Sequence, residues 1–402
     1  MAAPPERAQA AGPIPILHLL NGEQYSGLER LVDQLAAAAP LHGFRLVLAL
    51  LKPDRMRQRM SSQAAQLHDV PMRSRVDLEV ADRVATIAVA AGCRLVHSHT
   101  VRSALVARRL QRSIGLPWLH HVHSPALHES NHVVMNVANY LAEAFVMRRA
   151  DQVVTVSQAL AGYVRARYRV PRARIEVVAN GVADAAVGDE RADEMADEMP
   201  HGIAAQAGKE VTLLTLGLFR PRKGIEHLVQ AAGLLRDAGH TFRLCLAGEF
   251  ADAGYGASIR SLIDRLRLRD RVELPGFVAD VDAVLRGCDV FVLPSLKGEG
   301  MPMALLEAMA RARPVIASDI DGIREVLGDG AGLLIPPAQA RDLAQALARL
   351  ITSPSLRRRL GQAARARQRS RHGLAASQHR LFDCYRRLLS DHAYGTPHTH
   401  RS

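Results

Sequence analysis

The sequence predicts an α/β protein of two domains, each a parallel sheet with helical crossovers. A chain of 402 residues is longer than one hydrophobic core usually organises. Apolar residues make up 48% of the chain and aromatic residues only 4%, which suits helices over short aliphatic strands better than an all-β sandwich. Short strand-like runs also alternate with longer amphipathic ones in two successive series.

These two series define the two predicted sheets. The first consists of residues 14–20, 44–51, 94–97, 118–122, 152–156 and 175–178. The second consists of residues 211–216, 242–247, 272–274, 290–293, 315–317 and 332–335. Helical patterns fill the gaps, as expected for parallel strands. Ligands bind beyond the carboxyl ends of such strands, so we expect two facing domains to form one central cleft lined by strand-to-helix loops.

Composition suggests the domain boundaries. Residues 183–208 include an acidic run without an apolar stripe and are predicted to be the linker. The N-terminal domain is then residues 1–182, and the C-terminal domain is residues 209–373. Residues 374–390 have apolar positions at helical spacing and predict a long helix, and residues 391–402 predict a flexible tail.

The formal charge of +12 and the pI near 10.2 fit nucleic acid, an anionic membrane surface or anionic substrates as partners. One Trp, seven Tyr and no recognisable helix motif argue against nucleic acid. We therefore favour a peripheral membrane role. Arginines cluster in the N-terminal half, at Arg102, Arg108, Arg109, Arg112, Arg148 and Arg149.

The cysteines and the hydropathy indicate the compartment. Cys93, Cys245, Cys288 and Cys384 lie far apart, which favours neither a disulfide framework nor a thiolate zinc site. No stretch approaches a membrane-spanning length, and the N-terminus has no apolar signal core. We expect a cytoplasmic protein that can bind the inner face of the plasma membrane.

The segment PSLKGEGMPMALLEAMARARPV, residues 294–315, carries the strongest chemical signal. A buried strand ends at Pro294, and a glycine-containing loop leads into a helix that begins near Pro302. Glu299 lies in the loop and Glu307 inside the helix, so they can contact different parts of one extended ligand. The backbone amides of Gly300, Met301 and Met303 lie at the positive end of the helix and suit hydroxyl or phosphate oxygens.

This segment resembles the retaining glycosyltransferases of family 4, which have the two-domain GT-B fold. The signature is two glutamates separated by seven residues, then Glu-Ala-Met-Ala and a Pro-Val strand start. The matching residues are Glu299, Glu307, Ala308, Met309, Ala310, Pro314 and Val315. The resemblance implies that Glu299 lies beside the transferred sugar and that Glu307 binds the ribose hydroxyls. It also implies that the final helix, residues 374–390, packs back on the N-terminal domain.

A second loop, LGLFRPRKG at residues 216–224, resembles the phosphate-binding loop of the family. Lys223 is the expected cation for the diphosphate. Leu218 occupies the position of the family's Arg, so Arg220 or Arg222 must supply the second cation, and we favour Arg220. Two further matches are Gly248 after an earlier strand and the base-contacting pair Phe277 and Val278.

In the N-terminal half, Gly27 matches the small-residue loop that approaches the diphosphate, with Ser26 in place of the family's first glycine. His123 in HVHSP matches the histidine beside the donor sugar, and we expect it to act in catalysis with Glu299 and Lys223. A strand-end histidine bonded to the backbone is the alternative. Ser157 predicts a helix N-cap, and Asn180-Gly181 predicts a turn.

Histidines recur at or near the ends of predicted strands, at His97, His99, His120, His121 and His123. Zinc binding is one interpretation. No acidic or thiolate partner lies at ligand spacing and the family requires no metal, so we expect none. We also expect no cofactor, because Gly328, Gly330 and Gly332 precede a strand and do not form a dinucleotide fingerprint.

The resemblance implies transfer of a hexose-type sugar from a UDP- or GDP-sugar, with retention, to a lipid-linked or oligosaccharide acceptor in cell-surface glycan synthesis such as lipopolysaccharide or exopolysaccharide. A soluble acceptor or a protein side chain is an alternative. A catalytically silent glycan- or partner-binding protein is another, and Leu218 is its best support.

Overall fold

The structure, a computed structural model, describes residues 12–74, 77, 79–125, 133–184, 210–328 and 330–394. The chain forms two compact units. The first unit runs to Val156, includes Ala161–Val178 and resumes at Gln378, and the second consists of Ser157–Leu160 and Ala179–Ser377. The division after Val178 lies close to the predicted boundary at residue 182. Residues 185–208 of the predicted linker and residues 395–402 of the predicted tail lie outside the described residues.

Each unit is built on one parallel sheet. The strands are β1 (Ile14–Leu20), β2 (Phe44–Leu50), β3 (Gln66–Asp69), β4 (Leu95–Ser98), β5 (Trp118–Val122), β6 (Gln152–Thr155), β7 (Ile175–Val177), β8 (Val211–Leu216), β9 (Phe242–Ala247), β10 (Val272–Gly276), β11 (Val290–Leu293), β12 (Val315–Ser318) and β13 (Leu333–Ile335). The first sheet has the order β3-β2-β1-β4-β5-β6-β7, and the second has the order β10-β9-β8-β11-β12-β13. The strand pairs are parallel, which confirms the predicted doubly wound sheets.

Helices connect the strands. They are α1 (Gly27–Ala38), α2 (Arg55–Arg59), α3 (Glu79–Ala90), α4 (Val101–Ile114), α5 (Val133–Met147), α6 (Gln158–Tyr168), α7 (Ile225–Asp237), α8 (Ala253–Arg265), α9 (Val281–Arg286), α10 (Met303–Ala310), α11 (Asp321–Leu327), α12 (Ala340–Thr352), α13 (Pro354–Arg371) and α14 (Leu374–Tyr394). Among the described residues, no helix combines the length and apolar character needed to cross a bilayer.

The structure contains a strand that the sequence did not predict. Strand β3, with sequence QLHD, pairs only with β2 and has no fully buried residue. Periodicity predicts strands through their buried apolar positions, and a short polar edge strand offers none. The other strand predictions agree with the structure to within a residue or two at their ends.

The final helix α14 completes the core of the first unit. Its residues Leu381, Phe382, Cys384, Tyr385 and Leu388 are buried against strands β1 and β2 and helix α1. Phe382 stacks on Phe44 at 5.5 Å between ring centroids. Burying an aliphatic or aromatic side chain of this size contributes about 1.5–3 kcal/mol. The helix runs to Tyr394, four positions beyond the predicted end at residue 390.

The second core lies between the second sheet and helices α7, α8 and α12. Its buried residues include Phe242, Leu244, Leu228, Ile259 and Leu347. All four cysteines are buried and free.

Candidate functional site

The candidate site lies at the carboxyl edge of the second sheet. Strands β9, β8 and β11 are adjacent and parallel. The loops that follow them, which carry Gly248, Lys223 and Glu299, therefore leave the sheet at the same edge. This arrangement confirms that the sequence motifs fall in strand-to-helix loops.

Glycines let these loops pack backbone against backbone. Gly248 has φ +150°, and a Cβ atom placed on it would lie 1.8 Å from the carbonyl oxygen of Gly217. Gly224 has φ +64°, and its Cβ would lie 2.2 Å from the carbonyl oxygen of Pro294. Only glycine fits both positions without displacing the backbone. Gly248 thus has a packing role that holds the β8 and β9 loops together.

Lys223 and Glu299 form the centre of the site. The Lys223 Nζ donates to Oε1 of Glu299 at 2.5 Å, and the Ser295 hydroxyl donates to the same oxygen at 2.6 Å. The Arg222 guanidinium lies 3.7 Å from that oxygen and donates to the carbonyl of Gly298 at 3.2 Å. The carboxylate side chain is only 7% exposed. A nearly buried anion is therefore held by two cations and a hydroxyl.

The pKa values of this pair show which effect dominates. Burial acts to raise the pKa of Glu299, but the charges of Lys223 and Arg222 outweigh burial and lower it to about 2. The pKa of Lys223 is also lowered, chiefly by burial, with the charge of Glu299 opposing that shift. Glu299 is therefore an anion at neutral pH, in a position where a carboxylate can stabilise positive charge.

The loop after Glu299 is supported by Asn180 and Gly322. The side-chain amide of Asn180 donates to the carbonyl of Met301 at 2.9 Å, and the Asn180 backbone N–H donates to the Met301 sulfur at 3.1 Å. A Cβ on Gly322, in α11, would lie 2.1 Å from the carbonyl of Glu299. These contacts fix the backbone path of the loop from two sides.

Helix α10 follows directly. Met303 is its first residue and is 6% exposed, while Gly300 and Met301 are also buried. The N–H groups of the first turn of a helix lack partners inside the helix and carry its positive partial charge. Glu307 is 4% exposed and is the fifth residue of the helix, just over one turn from its start and not the two turns that the sequence predicted.

The remaining residues predicted for donor binding lie around this edge. Arg220 begins the short turn Pro221–Lys223 and is half-buried. Phe277 and Val278 follow β10, the neighbour of β9 at the edge of the sheet. The structure brings Lys223 and Glu299 into direct contact, whereas Arg220, Phe277 and Val278 stay predictions based on the resemblance.

Gly27 and His123 belong to the first unit. Gly27 is the first residue of α1, and the residue before it, Ser26, caps the helix. The Ser26 hydroxyl and backbone N–H both donate to the Glu29 carboxylate, at 2.9 and 3.1 Å. Glu29 therefore forms a capping box with Ser26 at the start of the helix.

His123 follows β5 and is partly exposed. Its Nε2 atom lies 3.1 Å from Nδ1 of His99, so its closest partner is another histidine and not the backbone. Burial, and then the charge of His120, lower the pKa of His123 to about 3. The imidazole is neutral at pH 7 and suited to hydrogen bonding with a hydroxyl.

Ser157 and Asn180 allow predictions from local sequence patterns to be compared with the observed contacts. Ser157 accepts a hydrogen bond from the N–H of Leu160 at 3.2 Å, which confirms the predicted N-cap of α6. Asn180 was predicted as a turn, but its side chain also supports the Glu299 loop. Sequence reasoning missed this role, together with those of Ser295 and Gly322. The one available signal was the nearness of Ser295 to Glu299 in the same loop.

Comparison with known proteins agrees with this geometry. The family described as glycosyl transferases group 1 matches residues 201–367, and the glycosyl transferase 4-like domain matches residues 26–181. A D-inositol 3-phosphate glycosyltransferase of Kineococcus radiotolerans is 30% identical over 321 residues, covering 74% of this chain and 72% of that protein. WcaL of Escherichia coli, a glycosyltransferase assigned to colanic acid biosynthesis, is 33% identical over 211 residues, covering 50% of this chain and 48% of WcaL.

A solved structure shows the same fold. The HepE protein of Anabaena, in complex with UDP-glucose, has a TM-score of 0.79 and 19% identity over 93% of this chain and all of that chain (100%). Together with the family matches, the two parallel α/β units define a glycosyltransferase of the GT-B fold. The chain belongs to the glycosyl transferases group 1 family, of family 4 type, and its activity is glycosyl transfer.

Proposed function

We propose that the protein transfers a hexose-type sugar, with retention of configuration, from a UDP- or GDP-sugar to a lipid-linked or oligosaccharide acceptor of the cell surface. The observation that carries this proposal is the contact between Lys223 and Glu299 at the carboxyl edge of the second sheet. UDP-glucose binding by HepE supports a nucleotide-sugar donor. The assignment of WcaL to colanic acid synthesis supports a polysaccharide product.

Each residue of the proposed site has a distinct task. Lys223 and the loop amides at Gly300 and Met303 would bind the diphosphate and stabilise the negative charge that it gains as the glycosidic bond breaks. Glu299 would hold the sugar and stabilise positive charge at its anomeric carbon. Glu307 would hold the ribose. Transfer would need neither a metal ion nor a cofactor, since the leaving group is stabilised by the protein's own cations.

Arg222 enters this proposal beside Arg220. Leu218 stands where the family has an Arg, and the site needs a second cation near the diphosphate. Arg222 already lies 3.7 Å from Glu299 and is partly buried, with 22% of its side chain exposed. It therefore competes with Arg220 for the role of the missing cation.

A nucleotide-binding test separates an active transferase from a silent binder. Thermal shift with UDP, GDP, ADP and their sugars should show a selective rise in Tm, because a ligand that binds only the folded state stabilises it. Lys223→Met should abolish the rise in Tm that the nucleoside diphosphate produces. Lys297→Met is the matched control, since Lys297 is an exposed lysine of the same loop as Glu299. No shift with any nucleotide would contradict the proposed donor.

The proposed membrane contact rests on helix α5. Val137, Leu141 and Phe145 are 47%, 61% and 51% exposed, and their spacing of four places them on one face of the helix. Arg149 lies 3.8 Å from the centre of the Phe145 ring, so a cation accompanies the apolar face. Such a combination of basic and apolar side chains suits an anionic membrane surface.

Some of the predicted basic face is already paired. Arg109 lies 3.6 Å from Asp82, and Arg148 donates to the carbonyl of Tyr168 at 2.8 Å. Sedimentation with anionic liposomes at low salt tests the surface. Phe145→Ser should reduce binding, whereas Leu41→Ser, at a leucine that is 88% exposed in the same unit, should not. Absence of binding by the unaltered protein would instead favour a soluble acceptor.

A further inference from the structure

Five histidines lie on one face of the first sheet. His18 in β1 is paired in register with His97 in β4, and His97 is paired with Leu119 in β5. Side chains alternate along a strand, so residues two positions apart share a face. His99 therefore lies on the same face as His97, and His121 and His123 lie on the same face as Leu119.

Ring geometry confirms this convergence. The ring centroids of His97 and His99 are 4.1 Å apart, and those of His121 and His123 are also 4.1 Å apart. One ring nitrogen from each of His18, His97 and His99 lies within 4.8 Å of the other two. His18, His97 and His99 are 0%, 0% and 4% exposed. We call these three residues the histidine triad.

The ring nitrogens of the triad form two sets, defined by their partners: three have no described partner outside the triad and are called the inner atoms, and three have one and are called the outer atoms. The inner atoms Nδ1 of His18 and Nε2 of His99 are 3.0 Å apart, and Nε2 of His97 is buried without a hydrogen-bond partner. The outer atoms are all partnered. Nδ1 of His97 and Nε2 of His18 lie 2.6 and 3.2 Å from the Tyr385 hydroxyl, and Nδ1 of His99 lies 3.1 Å from Nε2 of His123.

We propose that the histidine triad binds a divalent transition-metal ion of the zinc class through Nδ1 of His18, Nε2 of His97 and Nε2 of His99. Two imidazole nitrogens on one tetrahedral zinc ion are separated by roughly 3.3 Å, given Zn–N bonds of about 2.0–2.1 Å. The 3.0 Å separation of the His18 and His99 nitrogens is close to that value. The third ligand is the buried nitrogen of His97 that has no other partner.

The protonation state suits metal binding. Burial lowers the pKa of His18 to about 3 and holds the pKa values of His97 and His99 well below their usual range, with the neighbouring histidines adding to the shift for the last two. A ligand imidazole must be neutral, so binding at neutral pH needs a change of tautomer in one ring but no net release of a proton. The unpartnered nitrogen of His97 also costs about 1–3 kcal/mol while it is buried without a bond, which a metal ion would relieve.

The outer partners are those that metal-binding histidines usually have. A ligand histidine almost always donates its second N–H to an oxygen or other acceptor, which fixes the ring and its tautomer. The hydroxyl of Tyr385 has two lone pairs and can accept from both His97 and His18. A metal ion on Nε2 of His99 leaves the proton on Nδ1, which donates to Nε2 of His123. The ion would thereby also fix the tautomer of His123.

A second group, His99, His121 and His123, has the same spacing but fits a metal less well. His121 is buried with neither ring nitrogen hydrogen-bonded, so it has no partner to orient it. His123 is partly exposed. The expectation of no metal considered ligand spacing along the chain, whereas the triad draws its ligands from neighbouring strands. The proposed metal site does not include Lys223 or Glu299, which belong to the other unit, but it adjoins His123 through His99.

Metal binding can be measured directly on the chelator-treated full-length protein. We expect one equivalent of Zn²⁺ in competition with a chromophoric chelator, and Co²⁺ should give the visible absorption of a tetrahedral site. His97→Phe should abolish this binding. His120→Phe is the matched control, because His120 is equally buried in the same sheet but faces the other side, where it bonds to Ser98 at 2.8 Å.

Tyr385→Phe keeps the proposal testable if the histidine variant fails to fold. It leaves all three ligands in place but removes the acceptor for two of them, and we expect a ten- to hundredfold loss of affinity. Less than one equivalent of metal in the unaltered protein would overturn the proposal. So would equal affinity in the unaltered protein, His97→Phe and Tyr385→Phe, since binding would then come from histidines elsewhere.

Discussion

The two sheets have closely similar topologies, yet the ionisable groups near their carboxyl edges differ: they are charged at the second sheet and neutral at the first. At the edge of the second sheet, Glu299 is nearly buried and remains an anion because the charges of Lys223 and Arg222 compensate the cost of burial. On the first sheet, the clustered histidines are buried without a counter-charge, and burial keeps them neutral. Burial alone therefore does not decide whether a group is charged. The presence of an opposite charge within about 4 Å decides it.

This contrast predicts that acid unfolds the first unit before the second. Histidines with lowered pKa values contribute stability that is present above pH 6.5 and is lost as the pH falls toward about 3, where His18 and His123 titrate in the folded state. Glu299 contributes stability that is present above pH 4.5 and is lost as the pH falls toward about 2. Together, several buried histidines outweigh one carboxylate.

Trp118 provides the measurement, because it is the single tryptophan and is fully buried in the first unit. In the presence of a chelator, its fluorescence should change between pH 6.5 and 4. A reporter moved to the second unit, Phe250→Trp in a Trp118→Phe background, should change only at lower pH. His121→Leu should shift the Trp118 transition to lower pH. Coincident transitions of both reporters would contradict the comparison.

Removing the charge from the second site should have the next largest effect. Glu299→Gln keeps the size of the side chain but removes the anion, and we expect turnover to fall by about 10²–10³-fold, the loss typical of removing one stabilising group. Binding of the nucleotide should survive. Glu273→Gln is the control, because Glu273 is a salt-bridged glutamate in strand β10 of the same unit. Unchanged turnover in Glu299→Gln would refute the role of Glu299.

The close backbone packing of the second site can be tested with a pair of glycines. Gly248→Ala and Gly217→Ala place an alanine at nearly the same backbone φ, +150° and +148° respectively. A Cβ on Gly248 meets the Gly217 carbonyl, whereas a Cβ on Gly217 has no atom within 4 Å. We expect Gly217→Ala to cost about 1 kcal/mol in unfolding free energy and Gly248→Ala roughly 2 kcal/mol or more in denaturant titrations. Equal costs would show that the loops can separate freely.

The smallest expected effect concerns Glu307. Glu307→Gln should raise the donor KM by about tenfold with little change in kcat, because loss of one ribose contact weakens ground-state and transition-state binding equally. Glu325→Gln is the control, because it changes a glutamate of the same unit in the same way. A fall in kcat with constant KM would assign Glu307 to the chemical step.

Much of the fold could be predicted from the sequence because its strands are short apolar runs between amphipathic helices. Strands β5, β8, β9 and β11 were predicted with their observed ends. The motif residues Lys223 and Glu299 were also predicted, but their contact was not, since 76 positions separate them. Asn180 and Gly322 were missed for the same reason. Their contribution depends on which backbone lies beside them, and that is a property of the packed sheet and loops.

The grouping of the histidines could not be predicted from the sequence either. Spacing along the chain gave no reason to group His18 with His97 and His99, which lie at least 79 positions further on. The strand order β1-β4-β5 and the register between His18 and His97 bring them together. Sheet register is decided by tertiary packing, and single-sequence patterns do not contain it.

Helix α14 also sets an order of events during synthesis. Phe382 and Tyr385, which close the core of the first unit, follow the second unit in the chain and are therefore synthesised after it. The residues of the second unit end at Ser377. Domains generally fold as units while the chain is made, the N-terminal one first. In this protein the first unit is begun before the second but completed after it, and the histidine triad acquires its Tyr385 partner only once the second unit has been synthesised.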